Sequence, residues 1–142
     1  MQIKILLLMG CCIISSSIFS QEIGKVTTGS HSVSLLKSNN SYTCMYSDLN
    51  SESKSLIQKS FYFPNKETVY NIIMYGFENK KNHQVFVQTD ENTIIKFEYK
   101  RIKGQLLLRI NHNNLEDNTI GSSAYLTKKQ VKKLFGREIN FG

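Results

Sequence analysis

The alternation of apolar and charged residues along Thr93–Ile102 is the strongest constraint on the fold. Ile95, Phe97 and Tyr99 face one side of an extended chain there, while the residues between them are charged and face the other side. A strand of this kind has one face on a core and one face in solvent. The sequence therefore predicts an antiparallel sheet in the second half of the chain.

Turn residues on both sides of this strand predict its neighbours. Lys103-Gly104 favours a two-residue turn into a strand over 106–111, and Asp90-Glu91-Asn92 favours a three-residue turn after a strand over 84–89. Asn92 is expected to adopt the left-handed conformation in that turn. The turn lengths predict the pairs Val87–Ile95, Val85–Phe97, Tyr99–Leu108, Phe97–Ile110 and Glu98–Arg109.

The first half of the chain follows a similar plan. Strands are predicted over 32–37, 42–47 and 55–63. A register that sets Leu35 beside Cys44 gathers the apolar residues on one side, and a slip of one residue would scatter them. Cys44 is therefore predicted to be a buried core residue and not a reactive thiol.

Each set of strands is followed by a predicted helix. Asn65 is a suitable N-cap for a helix over 66–79, in which Gly76 is expected to mark close packing onto the sheet. Thr127 and Gln130 have the spacing of a capping box at the start of the last helix.

The remaining segments complete the predicted fold. Residues 112–122 are polar and expected to be irregular, and residues 123–126 are expected to add a short strand. The prediction is a single α+β domain over residues 21–142. It consists of an antiparallel meander sheet packed by two helices in the order βββα-βββ(β)α.

The first twenty residues have the pattern of a secretory signal peptide. Lys4 provides a positive charge, residues 5–14 form a continuous apolar run, and Ser20 is a small residue before the expected cleavage site. An apolar run of about ten residues is too short to cross a bilayer core of roughly 30 Å. We therefore expect residues 1–20 to be removed and the domain to work in the periplasm or as a secreted protein, with no transmembrane segment.

Leu8-Met9-Gly10-Cys11 offers an alternative way of processing this leader. It looks like a bacterial lipobox, in which Cys11 would be lipidated and would anchor the protein. The apolar run continues past Cys11 through Ile14, which favours cleavage after Ser20. Cys44 is then the single cysteine of the mature chain, which therefore has no internal disulfide.

None of the three histidines lies in a catalytic or metal-binding motif. His31, His83 and His112 are placed at the ends of predicted strands, where exposed histidines are common. We therefore expect no catalytic residue, metal ion or cofactor. The alternative is a small secreted hydrolase that uses His112 with Glu116 or Asp117, since an acid can orient a histidine base.

The excess of positive charge is concentrated in the last third of the chain. Basic and acidic residues balance over 21–95, whereas basic residues are in excess over 96–142. An exported basic surface favours lipid headgroups, anionic glycans or an acidic protein as its partner, and argues against nucleic acid. The candidate partner-binding residues are Lys96, Lys100, Arg109, Lys128, Lys129, Lys132 and Lys133.

Both ends of the predicted exported chain support the same general interpretation. Phe19-Ser20 before Gln21-Glu22, and Leu126-Thr127-Lys128-Lys129-Gln130 with Leu134-Phe135-Gly136, resemble small exported proteins of unknown function from Bacteroidetes-type bacteria. The resemblance implies an envelope location. The predicted function is an exported, non-catalytic binding protein that contacts an anionic envelope component or an acidic protein through the basic C-terminal surface. A toxin-neutralising inhibitor is a further alternative, because small exported α+β domains often act in that way.

Overall fold

Strands make up most of the fold. The computed structural model describes residues 20–50 and 56–137, so residues 1–19, with most of the predicted signal peptide and Cys11, lie outside the described residues. The strands are β1 (Gln21–Thr28), β2 (His31–Ser38), β3 (Ser41–Ser47), β4 (Gln58–Phe63), β5 (His83–Gln88), β6 (Thr93–Ile102), β7 (Gln105–Asn114) and β8 (Thr119–Ser122). The helices are α1 (Lys66–Glu78) and α2 (Lys128–Leu134).

The strands form two antiparallel four-stranded sheets. The first sheet has the order β1-β2-β3-β4 and the second has the order β5-β6-β7-β8. Each sheet is a meander, because every strand pairs with its neighbour in sequence, and each meander is followed by one helix. The predicted α+β class and the repeated order of strands and helix are confirmed. Strand β1 is an additional strand that was not predicted.

The registers predicted from the turn lengths are confirmed. In the second sheet Phe97 lies opposite both Val85 and Ile110, and Glu98 lies opposite Arg109. Lys103 and Gly104 have φ values of 53° and 81°, as a two-residue turn between β6 and β7 requires. Leu35 and Cys44 are also paired in the first sheet.

The turn between β5 and β6 differs from the prediction. Asn92 is not among the residues with positive φ, so its predicted left-handed conformation is wrong. The side chain of Asp90 holds the turn instead. Its Oδ1 atom accepts a hydrogen bond of 2.8 Å from the backbone N–H of Asn92, and its Oδ2 atom accepts one of 3.1 Å from the hydroxyl of Thr93.

The polar segment over 112–122 is regular, which corrects the prediction of irregular structure. Strand β7 continues through Asn114, and β8 follows after a short turn. The inward positions of this hairpin are occupied by His112 and Gly121, which face each other across the strands. Because neither residue has an apolar side chain, the sequence lacks the alternation of apolar and polar residues that indicates a strand. Residues 123–126 continue beside β7, with a backbone hydrogen bond from Ser123 to Ile110 and a bridge between Leu126 and Leu108, but they do not form the strand predicted there.

One core joins both sheets and both helices. Its largest fully buried side chains include Tyr46 and Leu35 from the first sheet, Phe97 and Tyr99 from the second, and Leu134 from α2. Cys44 is buried in the same cluster, as predicted. Burial raises the pKa of its thiol to about 12, so the thiol stays protonated and unreactive.

Each helix is fixed to the sheets by a close approach at a glycine. A Cβ atom at Gly76 would collide with the ring of Tyr99, whose hydroxyl donates a hydrogen bond of 2.6 Å to the carbonyl oxygen of Ile73. The expected close packing of Gly76 is therefore confirmed. Gly24 on β1 likewise lies against the last backbone carbonyl groups of α2.

Both helices begin at the predicted caps. The side chain of Asn65 accepts a hydrogen bond of 3.0 Å from the backbone N–H of Thr68. Thr127 and Gln130 form a complete capping box, with bonds of 3.0 Å and 2.9 Å between their side chains and each other's backbone N–H. Neither helix has the length and apolar character needed to pass through a bilayer.

Candidate functional site

The basic residues predicted to form one surface fall into two groups. Lys96, Lys100 and Arg109 alternate along β6 and β7 with buried residues, so they lie on the outer face of the second sheet. Helix α2 packs through Val131 and Leu134 into the core, which lies against the inner face of the same sheet. Lys128, Lys129, Lys132 and Lys133 therefore lie on a different element from the sheet cations, a helix whose main contacts are with β1 of the first sheet.

The outer face of the second sheet combines apolar, amide and cationic side chains in rows that run across the strands. One row contains Phe86, Lys96, Asn111 and Ser122, and the next contains Gln88, Ile94, Asn113 and Ile120. Phe86 is 65% exposed and Ile120 is 60% exposed on this face. A shallow cavity of about 270 Å³ lies between them.

Two side-chain donors on this face are buried and have no hydrogen-bond partner among the described residues. They are Nε of Arg109 and Nδ2 of Asn111. A buried donor without a partner costs about 1–3 kcal/mol. An acceptor atom on a bound partner would recover this cost only after the atoms that cover these donors move aside, and both donors are candidates for ligand contact in that sense.

Neighbouring side chains hold Arg109 in place but leave its Nε atom free. The guanidinium carbon lies 4.1 Å from the centre of the Tyr125 ring, and the Tyr125 hydroxyl donates a hydrogen bond of 3.0 Å to Oε1 of Glu98. Burial raises the pKa of Tyr125, and the bond to Glu98 raises it further, so the phenol remains a donor. Glu98 also lies 3.6 Å from Nζ of Lys96. The Glu98 carboxylate is therefore occupied on both oxygens, one by Tyr125 and one by Lys96.

The orientation of the Asn111 amide is set by Ser122. The Ser122 hydroxyl accepts a hydrogen bond of 3.2 Å from Nδ2 of Asn50 and donates one of 2.6 Å to Oδ1 of Asn111. Because the oxygen of Asn111 is the acceptor, its Nδ2 group is the end left without a partner.

A buried carboxylate fixes Ser122 and the short strand β8. Oδ1 of Asp48 accepts a hydrogen bond of 3.0 Å from the backbone N–H of Ser122, and Oδ2 lies 2.7 Å from Nζ of Lys59. Burial alone would raise the pKa of Asp48, but the bonds from Lys59, Ser122 and Asn50 outweigh it and lower the pKa. Lys59 also donates a hydrogen bond of 2.5 Å to the carbonyl oxygen of Ile120. This network holds Ile120 and Asn111 in place on the outer face.

His112 is a core residue, which corrects its placement at an exposed strand end. It is 3% exposed, and its Nδ1 atom lies 3.0 Å from the hydroxyl of Tyr46. Its ring also packs 5.4 Å from the ring of Phe61. Burial lowers the pKa of His112, with partly opposing effects from nearby charges.

The acids that the hydrolase alternative pairs with His112 make other contacts. Glu116 accepts a hydrogen bond of 3.3 Å from Nδ2 of Asn92, and Asp117 accepts one of 2.9 Å from the backbone N–H of Thr119. His83 stacks on Tyr99 at 4.5 Å. In residues 20–50 and 56–137 there is no group of three or more His, Cys, Asp or Glu residues that could hold a metal ion.

Alternation along the strands was enough to place Lys96 and Arg109 on one face, but other residues of the face were missed. Phe86 could have been found, since in the predicted strand over 84–89 its side chain lies on the other face from those of Val85 and Val87. Asn111 could also have been found, since it ends the predicted strand over 106–111 and the predicted pair Phe97–Ile110 sets it beside Lys96. Ile120 could not, because β8 has no apolar alternation. No family model, curated protein or solved structure matches the chain. The geometry of the site is therefore the basis for assigning a function.

Proposed function

We propose that the protein is an exported, non-catalytic binding protein that recognises an acidic protein surface through the outer face of the second sheet. The observation that carries this proposal is the pair of buried donors, Nε of Arg109 and Nδ2 of Asn111, which have no partner among the described residues and lie on the same face as Lys96, the residue paired with Asn111. All three groups are donors, so the complementary group is an acceptor. A carboxylate fits best, because hydrogen bonds between charged donors and carboxylates are the strong ones.

The apolar residues around these donors favour a protein partner over a lipid surface. Phe86 and Ile120 are exposed on either side of the donors, and the shallow cavity between them offers room for a partner's side chain. Protein interfaces combine an apolar centre with a polar rim in this way. An anionic membrane would instead be held by freely exposed cations, whereas Lys96 is only partly exposed and lies near Glu98.

The position of β1 supports the proposal that the protein is exported. This strand begins at Gln21, the residue that follows the expected cleavage site after Ser20. Removal of the leader would therefore leave every strand of both sheets intact. Lipidation at Cys11 would also leave them intact and would add a short tether to the membrane.

A peptide array tests the proposed partner chemistry. The probes are peptides with Asp or Glu next to Phe, Leu or Ile, matched peptides with Asn or Gln in place of the acids, and vesicles that contain phosphatidylglycerol. We expect the acidic peptides to bind at least tenfold more tightly than the amide peptides, and binding to weaken as salt increases. Binding to vesicles without binding to acidic peptides would overturn the proposal.

Matched charge reversals locate the site. Lys96→Glu places a like charge in front of the partner's carboxylate, and we expect it to weaken acidic-peptide binding at least tenfold. Lys128→Glu makes the same change on α2 and is expected to alter binding less than twofold. Equal losses in the two variants would indicate attraction to overall positive charge and would contradict a site on the outer face.

A further inference from the structure

Strand β5 is the free edge of the second sheet. It pairs only with β6. Its sequence, His83-Gln84-Val85-Phe86-Val87-Gln88, contains no Asp, Glu, Lys, Arg or Pro. Natural proteins usually protect an edge strand with such residues, because an unprotected edge pairs with other chains. β5 therefore has the properties of a pairing edge.

The hydrogen bonds of β5 determine which backbone groups are available for pairing. The N–H of Thr89, just after β5, bonds to the carbonyl oxygen of Thr93 at 3.1 Å. Because hydrogen-bonded and non-bonded pairs alternate in an antiparallel ladder, the odd-numbered residues of β5 bond to β6. The N–H and C=O groups of Gln84, Phe86 and Gln88 consequently point away from the sheet.

The sequence of this edge is complementary to itself. Gln84-Val85-Phe86-Val87-Gln88 reads the same in both directions. If a second copy pairs in antiparallel orientation about Phe86, the two Phe86 residues lie opposite each other and Gln84 lies opposite Gln88. Gln84, Phe86 and Gln88, whose backbone groups point away from the sheet, then lie opposite one another in the two copies. Each such pair of residues forms two backbone hydrogen bonds between the copies.

The charges that flank β5 also match in this register. Lys81 precedes the strand and Glu91 follows it, and both residues are exposed. Pairing about Phe86 brings the end of β5 that follows Lys81 close to the end that precedes Glu91 of the other copy, and the two-fold symmetry repeats this arrangement. Opposite charges in these positions favour the paired state. Val85 and Val87, which are only partly buried in the described chain, would cover each other across the new contact.

We propose that two copies of the protein pair through β5 in antiparallel orientation, about a two-fold axis at Phe86, to form one continuous sheet from their second sheets. A two-fold contact of this kind uses the same surface of both copies and closes after two. The inference is independent of the proposed partner. It predicts in addition that two outer faces lie side by side, so that a partner with two acidic segments would bind with increased avidity.

Sedimentation and light scattering of the mature chain, residues 21–142, test the proposal with two variants. The unmodified chain is expected to have twice the chain mass at micromolar concentration. Phe86→Lys places like charges opposite each other at the axis and is expected to give a monomer with unchanged circular dichroism. Ile120→Lys makes the same change at an exposed apolar residue on the opposite edge strand and is expected to remain dimeric. A monomeric unmodified chain, or a dimeric Phe86→Lys variant, would overturn the proposal.

Cysteine cross-linking tests the register. Residues in a hydrogen-bonded antiparallel pair have Cα atoms about 5.5 Å apart, which lies within the range that a disulfide spans. Phe86→Cys is therefore expected to form a disulfide-linked dimer on mild oxidation, whereas Ile120→Cys is not. Cross-linking of Ile120→Cys at an equal rate would contradict pairing through β5. Lys96→Glu, which tests the acidic partner, is expected to leave the dimer intact, so the two proposals can fail separately.

Discussion

The hydroxyl group of Tyr46 lies 3.0 Å from Nδ1 of His112, and this hydrogen bond joins the inner faces of the two sheets. Both side chains are buried. Burial raises the pKa of Tyr46, with smaller contributions from Asp48 and Cys44, and burial lowers the pKa of His112. The phenol therefore stays protonated and the imidazole stays neutral, so that the contact is a neutral hydrogen bond inside the core.

Tyr46→Phe should destabilise the fold. The change keeps the ring but leaves Nδ1 of His112 without its partner, which is expected to lower the free energy of unfolding by about 1–3 kcal/mol. Urea unfolding followed by circular dichroism measures the difference. Tyr75→Phe is the matched control, since Tyr75 is 77% exposed on α1, and it should leave stability unchanged. Similar losses in the two variants would contradict a structural role for the Tyr46–His112 bond.

The buried imidazole makes stability depend on pH. The pKa of His112 is lower in the folded chain than in the unfolded chain, so the unfolded chain takes up its proton first as the pH falls. Stability from this residue is therefore complete above the ordinary histidine pKa of about 6.5 and is lost as the pH falls below it. Urea midpoints measured between pH 8 and pH 5 should decrease. His112→Gln should show a smaller decrease over the same range, and an identical decrease would contradict the assignment.

The lowered pKa of Asp48 makes stability depend on pH in a more acidic range than that of His112. Its stabilising contribution is present above the ordinary aspartate pKa and is lost as the pH falls through the lower folded value. The urea midpoint of the unmodified chain should therefore continue to decrease below pH 4. This decrease should be smaller in Asp48→Asn, which has no carboxylate to protonate. The same measurement therefore separates the two buried groups.

Gly76→Ala should destabilise the protein although alanine favours helices. Helix propensity alone predicts a gain of about 1 kcal/mol, but the added methyl group would collide with the ring of Tyr99. Asn71→Ala, at an exposed position of the same helix, has only the propensity effect and should be slightly stabilising. Thermal unfolding of both variants tests this expectation. An increase in Tm for Gly76→Ala would show that the contact with Tyr99 is not tight.

Sequence alternation was sufficient for those parts of the fold where each inward position is a large apolar residue. Strand β6 has the predicted bounds, Thr93–Ile102, for this reason. Strand β1 was missed because its pairing register shifts between Glu22 and Gly24, which interrupts the alternation. Gly24 is in addition an inward residue without a side chain, since close approach of α2 requires it.

The candidate site was predictable only in part for a related reason. The position of Lys96 and Arg109 on one face follows from local alternation. The free donor of Asn111 depends on Ser122 and Asp48, which are distant in sequence and meet it only in the folded chain. The packing of α2 mainly against β1 joins segments that are distant in sequence, and no local pattern specifies it.

Export gives a further prediction. The mature protein recovered from the envelope or the medium should begin at Gln21, as determined by mass spectrometry of its N-terminal peptide. Leu7→Arg interrupts the short apolar run and should leave the full-length chain in the cytosol. A mature protein that begins with lipidated Cys11 would favour the lipoprotein alternative. Full-length unmodified chains in the cytosol that retain Met1–Ser20 would contradict export.

We propose binding of an acidic partner to the outer face of the second sheet. Chemical-shift mapping by NMR, with the labelled mature chain and an acidic peptide that contains one apolar residue beside its carboxylate, tests this most directly. We expect the largest shifts at the backbone amides of Phe86, Lys96 and Asn111 and at the side-chain amide of Asn111. Shifts confined to Lys128–Leu134, or shifts of equal size for a peptide without carboxylates, would contradict it.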